Sequence, residues 1–363
     1  MEEQTLVHSM FGQTVFTIGD QGYTWADVVL AAHLWGDWAT MEQDVRAGLA
    51  CLKHMENTGE GPTTAEVQAA AREFRYARQL ISAQEAEAWL AHRHLTPETW
   101  LAYLQRSVLR QQWASRLTEL LLQYPIAEAE VAQHIVAEGI CSGKLAEYAQ
   151  KLAARAAIHA RGREATTAEP PGRGTEAAQS RICQRPPLRP DICRLLSLPP
   201  ERCRERIHTL LGLEAEFERV CRSMLTPKTL QDELRVHGLD WIRLDCHCLM
   251  VPQEQIAREA LLCVREASMT LAEAAAHANT GVQHIRWYLE DVEPMLQPYF
   301  LAAHRGEWLG PFRVGEAYAL FWVLDKVMPT IDESDIRRRA EQRVLRRLID
   351  GAIATEVRWH SRG

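Results

Sequence analysis

Among nine cysteines this sequence has no C-x-x-C pair, and nowhere in its 363 residues is there a phosphate-binding loop, a dinucleotide fingerprint, a nucleophile elbow or a zincin helix. Those absences disfavour the commonest enzyme classes. An odd cysteine count without short-loop spacing also excludes a disulfide scaffold, so most thiols are expected to be reduced. Positive charge is not in excess: the formal net charge is −7 and the pI is near 6.1. That removes the electrostatic case for nucleic acid, which needs a concentrated cationic face. No apolar run reaches membrane-spanning length, and the opening Met-Glu-Glu lacks the basic start and apolar stretch of a secretory signal. The expectation is a cytoplasmic, unanchored chain. With 47% hydrophobic and 25% charged residues in this length, two or three ordinary globular domains are expected.

Metal is weighed and set aside. Cys183, Cys193 and Cys203 recur every ten residues, and Cys246-His247-Cys248 flanks an imidazole with two sulfurs. Neighbouring strand residues point to opposite faces, so Cys246 and His247 do not readily share one ion. Cys51 and His54 stand one helical turn apart with no further ligand nearby, and His92-Arg93-His94 reads as the cationic end of a helix. No metal and no cofactor is expected.

Residues 161–190 lack periodicity and concentrate Pro, Gly and Arg, which predicts a mobile linker. Before it lies a helical region, residues 1–160, with one short strand at Thr14 to Ile18 and a turn through Gly19 to Gly22. Thr24 caps a helix from Trp25. Thr63 with Glu66 and Ser82 with Glu85 are capping boxes, in which hydroxyl and carboxylate each satisfy an orphan amide of the first turn. Thr96-Pro97 starts a helix predicted to run through Trp113 and Leu117 as the spine of this region. After the linker, residues 191–238 read as a helical connector. A strand is predicted from Asp240 to Val251, then helices over about 253–266 and 270–278, and a final strand at Ala317 to Val323. Residues 331–363 are expected to form an amphipathic helix whose apolar stripe docks on the body.

The segment Tyr299 to Lys326, Y-F-L-A-A-H-R-G-E-W-L-G-P-F-R-V-G-E-A-Y-A-L-F-W-V-L-D-K, ends a helical approach at Gly306, turns at Gly310-Pro311 and enters that final strand. It resembles the C-terminal half of parvulin-type peptidyl-prolyl isomerases, and residues 239–330 are the matching domain. The short strand, the run of helices and the phrase L-T-P-E-T-W-L-A-Y-L-Q-R-S-V-L-R look like the N-terminal chaperone domain of the SurA and PpiC-like proteins. The resemblance implies an α+β protein: a mainly helical chaperone-like domain followed by a small parvulin-like α/β domain. It also implies an apolar proline pocket, assigned to Val292, Leu296, Phe312 and Phe321, with Val292 and Leu296 sharing a face if one helix spans them.

The family's polar floor is altered here. Its final-strand histidine falls on Ala319 and its hydroxyl on Val314, and its Gly-Gly-x-Leu-Gly turn is replaced by Thr280 to Leu289. Where the family's first strand reads His-Ile-Leu, this chain has Trp241, Ile242 and Arg243, and only later His247, the candidate surviving catalytic residue. The leading expectation is a chaperone-like protein that binds an unfolded or precursor peptide without isomerising it, in the manner of a peptide-maturation system with a peptide-modifying enzyme as partner. Two alternatives stand beside it: an active isomerase with a reduced site around His247, and a structural subunit for a fixed protein partner.

Overall fold

In the computed structural model residues 10–166, 190–266 and 269–360 are described, and the chain divides into two compact units, Met1–Val220 with Ile349–Gly363 and Cys221–Leu348. The first unit opens with strands β1 (Thr14–Ile18) and β2 (Gln21–Thr24) and helices α1 (Trp25–Trp35), α2 (Asp37–Thr58), α3 (Thr64–Ala77), α4 (Ala83–His92) and α5 (Pro97–Gln112). It continues through α6 (Leu117–Gln123), α7 (Glu128–Ser142), α8 (Lys144–Thr166), α9 (Pro190–Leu195) and α10 (Pro200–Met224). The second holds α11 (Pro227–His237), β3 (Arg243–Val251), α12 (Glu254–Arg265), α13 (Leu271–His277), β4 (Val282–Tyr288), α14 (Gln297–Ala302), β5 (Trp308–Val314) and β6 (Ala317–Val327). Helix α15 (Ser334–Glu356) and strand β7 (Val357–Trp359) close the described chain, the unit boundaries falling inside α10 and α15. The fold is α+β: helices dominate, with two small sheets that are antiparallel throughout.

Local chemistry sets the helix starts. Thr63 and Ser82 accept from the amides of Glu66 and Glu85, while those carboxylates accept from the capping residues' own amides at 2.7 Å. These bonds hold both carboxyls below the usual carboxylate range. Thr96 and Thr226 cap helices that begin on proline. The expected spine helix stops earlier than its pattern implied. At Trp113 the chain leaves α5 and turns through Ala114–Arg116 into α6. Trp113 is thereby buried against Cys51 and Leu109, and α2 is the helix on which α5, α6 and α7 all pack. Between α5 and α7, Arg106 and Glu138 are both almost fully buried, 3.3 Å apart, with Arg110 adding a 2.7 Å bond to the same carboxylate. Removing the Glu138 carboxylate would leave Arg106 buried without compensation, whereas loss of Arg106 would leave Glu138 paired with Arg110.

Strand β1 is central in a three-stranded sheet of order β2-β1-β7. The segment expected to be purely helical at the C-terminus therefore ends as a strand, and Gln21-Gly22, expected in a turn, belongs to β2. Helix α8 runs to Thr166, taking in the first six residues of the linker expected from 161, and residues 167–189 of that linker lie outside the described residues.

The second unit is built on a four-stranded sheet of order β4-β3-β6-β5, and its layout comes from alternation. On β3, Leu244, Cys246 and Cys248 join a cluster with Val292, Phe300 and Phe321. Leu249 and Val251 face the other way, into a cluster with Ala257, Leu261 and Ala275 from α12 and α13. Trp241, expected to begin the strand, instead lies before it and is fully buried against Leu230, Ile336 and Ala340. Strand β4 was not anticipated; it fills residues 282–288 where the sequence showed a missing turn. Gly310-Pro311 is likewise not a turn but lies within β5, at a bulge between Leu309 and Phe312, and its peptide bond is cis. Only glycine fits at 310: φ is +116°, and a Cβ would stand 2.6 Å from the Ala319 carbonyl oxygen.

Candidate functional site

The two faces of the second sheet present different chemistry. On the α14 face lie all four residues predicted to bind substrate: Val292 and Phe321 are buried, and Leu296 and Phe312 pack half-buried at the edge of the same cluster. No single helix carries Val292 and Leu296. Val292 follows a short turn, Leu289–Asp291, and Leu296 caps α14, because Pro294 interrupts the run. They still meet, since the turn and α14 pack on the same strands.

This face is filled by rings. Phe300, fully buried, stands edge-on to Trp287 at 5.9 Å and to Phe321 at 5.1 Å between centroids, while Tyr299 lies 5.0 Å from Phe312. Such offset and edge contacts are the favoured aromatic geometry. Around the cluster Met295 is 82% and Tyr299 54% exposed, so the filled centre carries an open apolar rim. The indole nitrogen of Trp287 is buried with no hydrogen-bond partner among the described residues.

The floor beneath those rings is apolar. Ala319, fully buried, pairs with Met250 on one side and Phe312 on the other. Cys248 pairs with Phe321, and Cys246 with Val323. Burial pushes the Cys246 thiol up to about 12, with the Asp245 carboxylate adding to the rise, and burial alone pushes Cys248 up to about 11. Neither is a nucleophile at neutral pH. Val314, 38% exposed, ends β5 away from this floor.

His247 is not part of that site. It alternates with Cys246 and Cys248 and faces the α12 and α13 side, so the structure separates the predicted catalytic residue from the four predicted pocket residues by the thickness of the sheet. There it lines an open pocket of about 450 Å³ with Trp308, Trp322 and residues of α12 and α13. Its ring lies 5.5 Å from that of His284, directly across on β4. His284 and Arg286 both bond the Asp245 carboxylate, and the His284 bond first, then Arg286, holds that carboxyl below its usual range. Among the described residues no group of three or more His, Cys, Asp or Glu side chains is placed to hold a metal ion, and no helix is long and apolar enough to cross a membrane.

Two residues of this second pocket, Trp322 and Glu273, escaped the sequence reading. The signal for Trp322 was present in the alternation of β6, where every second residue from Tyr318 faces away from Ala319 and Phe321. Glu273 was readable only as the partner of the Thr270 cap.

No protein-family model matches the chain, and no curated protein matches it. Among solved structures it is similar to the peptidylprolyl isomerase PrsA from Bacillus anthracis, with 11% identity, 57% of this chain and 93% of that one covered, and a TM-score of 0.25. It is also similar to the foldase protein PrsA from Lactococcus lactis, with 8% identity, coverage of 94% and 91%, and a TM-score of 0.31. For PrsA from Bacillus subtilis the identity is 10%, the coverage 68% and 84%, and the TM-score 0.20.

Proposed function

We propose that this protein is a peptide-binding, chaperone-like protein whose second unit is a degenerate parvulin-like domain, holding an unfolded or precursor peptide on the apolar α14 rim. Its threading supports the parvulin part: strand, two helices, strand, short helix, strand, strand, with the sheet order β4-β3-β6-β5. The observation that carries the binding-only reading is the floor. Lowering a barrier of about 18–20 kcal/mol requires groups that favour the twisted amide over the planar one. Ala319, Met250 and two buried thiols offer none.

An isomerase working through His247 is the second reading, and the placement of that residue behind the sheet counts against it. A cytoplasmic location and a peptide-modifying enzyme as partner remain parts of the proposal that come from the sequence alone. The test is fluorescence anisotropy of a labelled extended apolar peptide, run beside thermal unfolding. Leu296→Asp, a half-buried rim position where the charge reaches water, is expected to abolish binding in a folded protein, and Tyr299→Ala, more exposed, to weaken it. Unchanged binding to either folded variant would sink the assignment.

A further inference from the structure

The pocket on the other face has an order that the proposed function does not use. Four ring side chains stand in one cross-strand row: His284 on β4 pairs with His247 on β3, His247 with Trp322 on β6, and Trp322 with Trp308 on β5. The row spans all four strands on a single face. The Trp308 and Trp322 rings are 4.9 Å apart between centroids and tilted by 53°. Helices α12 and α13 cover Leu249, Leu320 and Trp308, which is 7% exposed, with Trp322 half-buried against the same cluster, and the edges of Trp308 and Trp322 line the open pocket with His247 beside that cover.

The pocket's chemistry points to a cation. Indole faces carry the negative lobe of the ring quadrupole and attract guanidinium and ammonium groups. Among the residues that line the pocket the only carboxylate is Glu273. One of its oxygens, Oε2, accepts from the Thr270 amide at 2.7 Å and hydroxyl at 2.8 Å, which fixes the charge at the rim and keeps it ionised by holding its carboxyl below the usual range. Two arginines nearby are already engaged, Arg286 bonding Asp245 and Arg265 donating to the Trp308 carbonyl at 3.0 Å, and His277 on α13 adds to the field on Glu273. No lysine or arginine lines the pocket itself.

We propose that the Trp308–Trp322–His247 pocket, with Glu273 at its rim, binds a guanidinium or ammonium side chain presented by a peptide. That the cation arrives on a peptide rests on the proposed function; the affinity of the pocket for the cation does not. The probe is therefore a small molecule, N-acetyl-arginine amide, set against its neutral isostere N-acetyl-citrulline amide. Full-length protein labelled with fluorotryptophan is titrated by ¹⁹F NMR, the Trp308 and Trp322 resonances being assigned by substitution.

The arginine amide is expected to shift both resonances saturably and to bind about fivefold more tightly than the citrulline amide. Trp322→Leu, which keeps apolar volume and removes the π face, is expected to lose most of that preference. Glu273→Gln keeps the cap, because a glutamine oxygen accepts the same bonds, and is expected to weaken arginine binding about threefold without affecting citrulline. Equal affinity for the two amides, resonances that do not move, or a Glu273→Gln protein that binds arginine as the parent does would each overturn the inference. Apolar-peptide anisotropy on the same samples separates the two claims. Peptide binding that persists when the amide titration fails removes only the cation pocket, and saturable arginine binding without apolar-peptide binding removes only the functional reading.

Discussion

On the α14 face of the second sheet, Trp287, Phe300, Phe321 and Phe312 have closed over the strands and left only a rim to solvent, whereas on the α12 and α13 face His247, Trp308 and Trp322 line an open pocket. Both sets come from the same strands and often from adjacent residues: Phe321 packs inward next to half-buried Trp322, and Cys248 next to His247. What differs is the covering element. Helix α14 lies over the centre of one face, while on the other α12 and α13 pack on Leu249, Leu320 and Trp308 and leave His247 and part of Trp322 at the edge of their cover. The apolar face is thus closed by its own rings, whereas the ringed face sets polar and aromatic side chains around an opening, with Trp308 anchored in the core beneath α12 and α13.

The sharpest way to break this comparison is Phe300→Ala. Its side chain is fully buried against two rings, and losing it is expected to cost about 3–5 kcal/mol, enough to unfold the second unit in mild denaturant. Urea unfolding checks it, and a loss below about 1 kcal/mol would mean the face is not packed as described. Next in size is Ala319→His, which restores the residue type that the family resemblance expects there. With Met250 and Phe312 as cross-strand neighbours the imidazole finds no polar partner, so a destabilisation of about 1–3 kcal/mol and no gain of isomerase activity are expected. A stable variant that isomerises proline would show the floor to be roomier and more polar than its neighbours imply.

On the ringed face the same exercise should matter less. His284→Ala removes an exposed member of the row and one bond to Asp245, with an expected effect on stability within about 0.5 kcal/mol. The smallest effect concerns pH. Asp245 is held below its usual range by His284 and Arg286, so its contribution is present above the unfolded carboxyl value, near 4, and is lost as pH falls through the lower folded value. Asp245→Asn is expected to lower stability slightly above about pH 5, where the native carboxylate contributes, and to leave it nearly unchanged well below the folded value, which flattens the acid limb of the stability curve. A loss as large in acid as at neutral pH would contradict the assignment.

Much of the fold was readable because its signals are local. Capping residues at Thr24, Thr63, Ser82, Thr96 and Thr270 each begin a helix within one residue of the expected place, since a cap binds amides only three positions away. The candidate pocket residues Val292, Leu296, Phe312 and Phe321 do converge. What the sequence hid depends on pairing between distant segments. Strand β4 has mostly exposed side chains, so its residues lack the alternating burial that marks a strand, and it exists because β3 offers it an edge. His247 could not be assigned to a face without the register of β3, and a shift of one residue would have put it among the rings of the other face. The Gly310-Pro311 bulge mimics a turn in composition but lies in the pairing of β5 with β6, where only glycine clears the Ala319 carbonyl.

The central claim of the proposed function is that the second unit binds peptide without isomerising it. A protease-coupled isomerisation assay on an Ala-Pro peptide tests it most directly, with His247→Ala measured in parallel. The expected result is a rate indistinguishable from the uncatalysed one for both proteins. Robust turnover by the parent that falls in His247→Ala would contradict the account and make the face behind the sheet an active site.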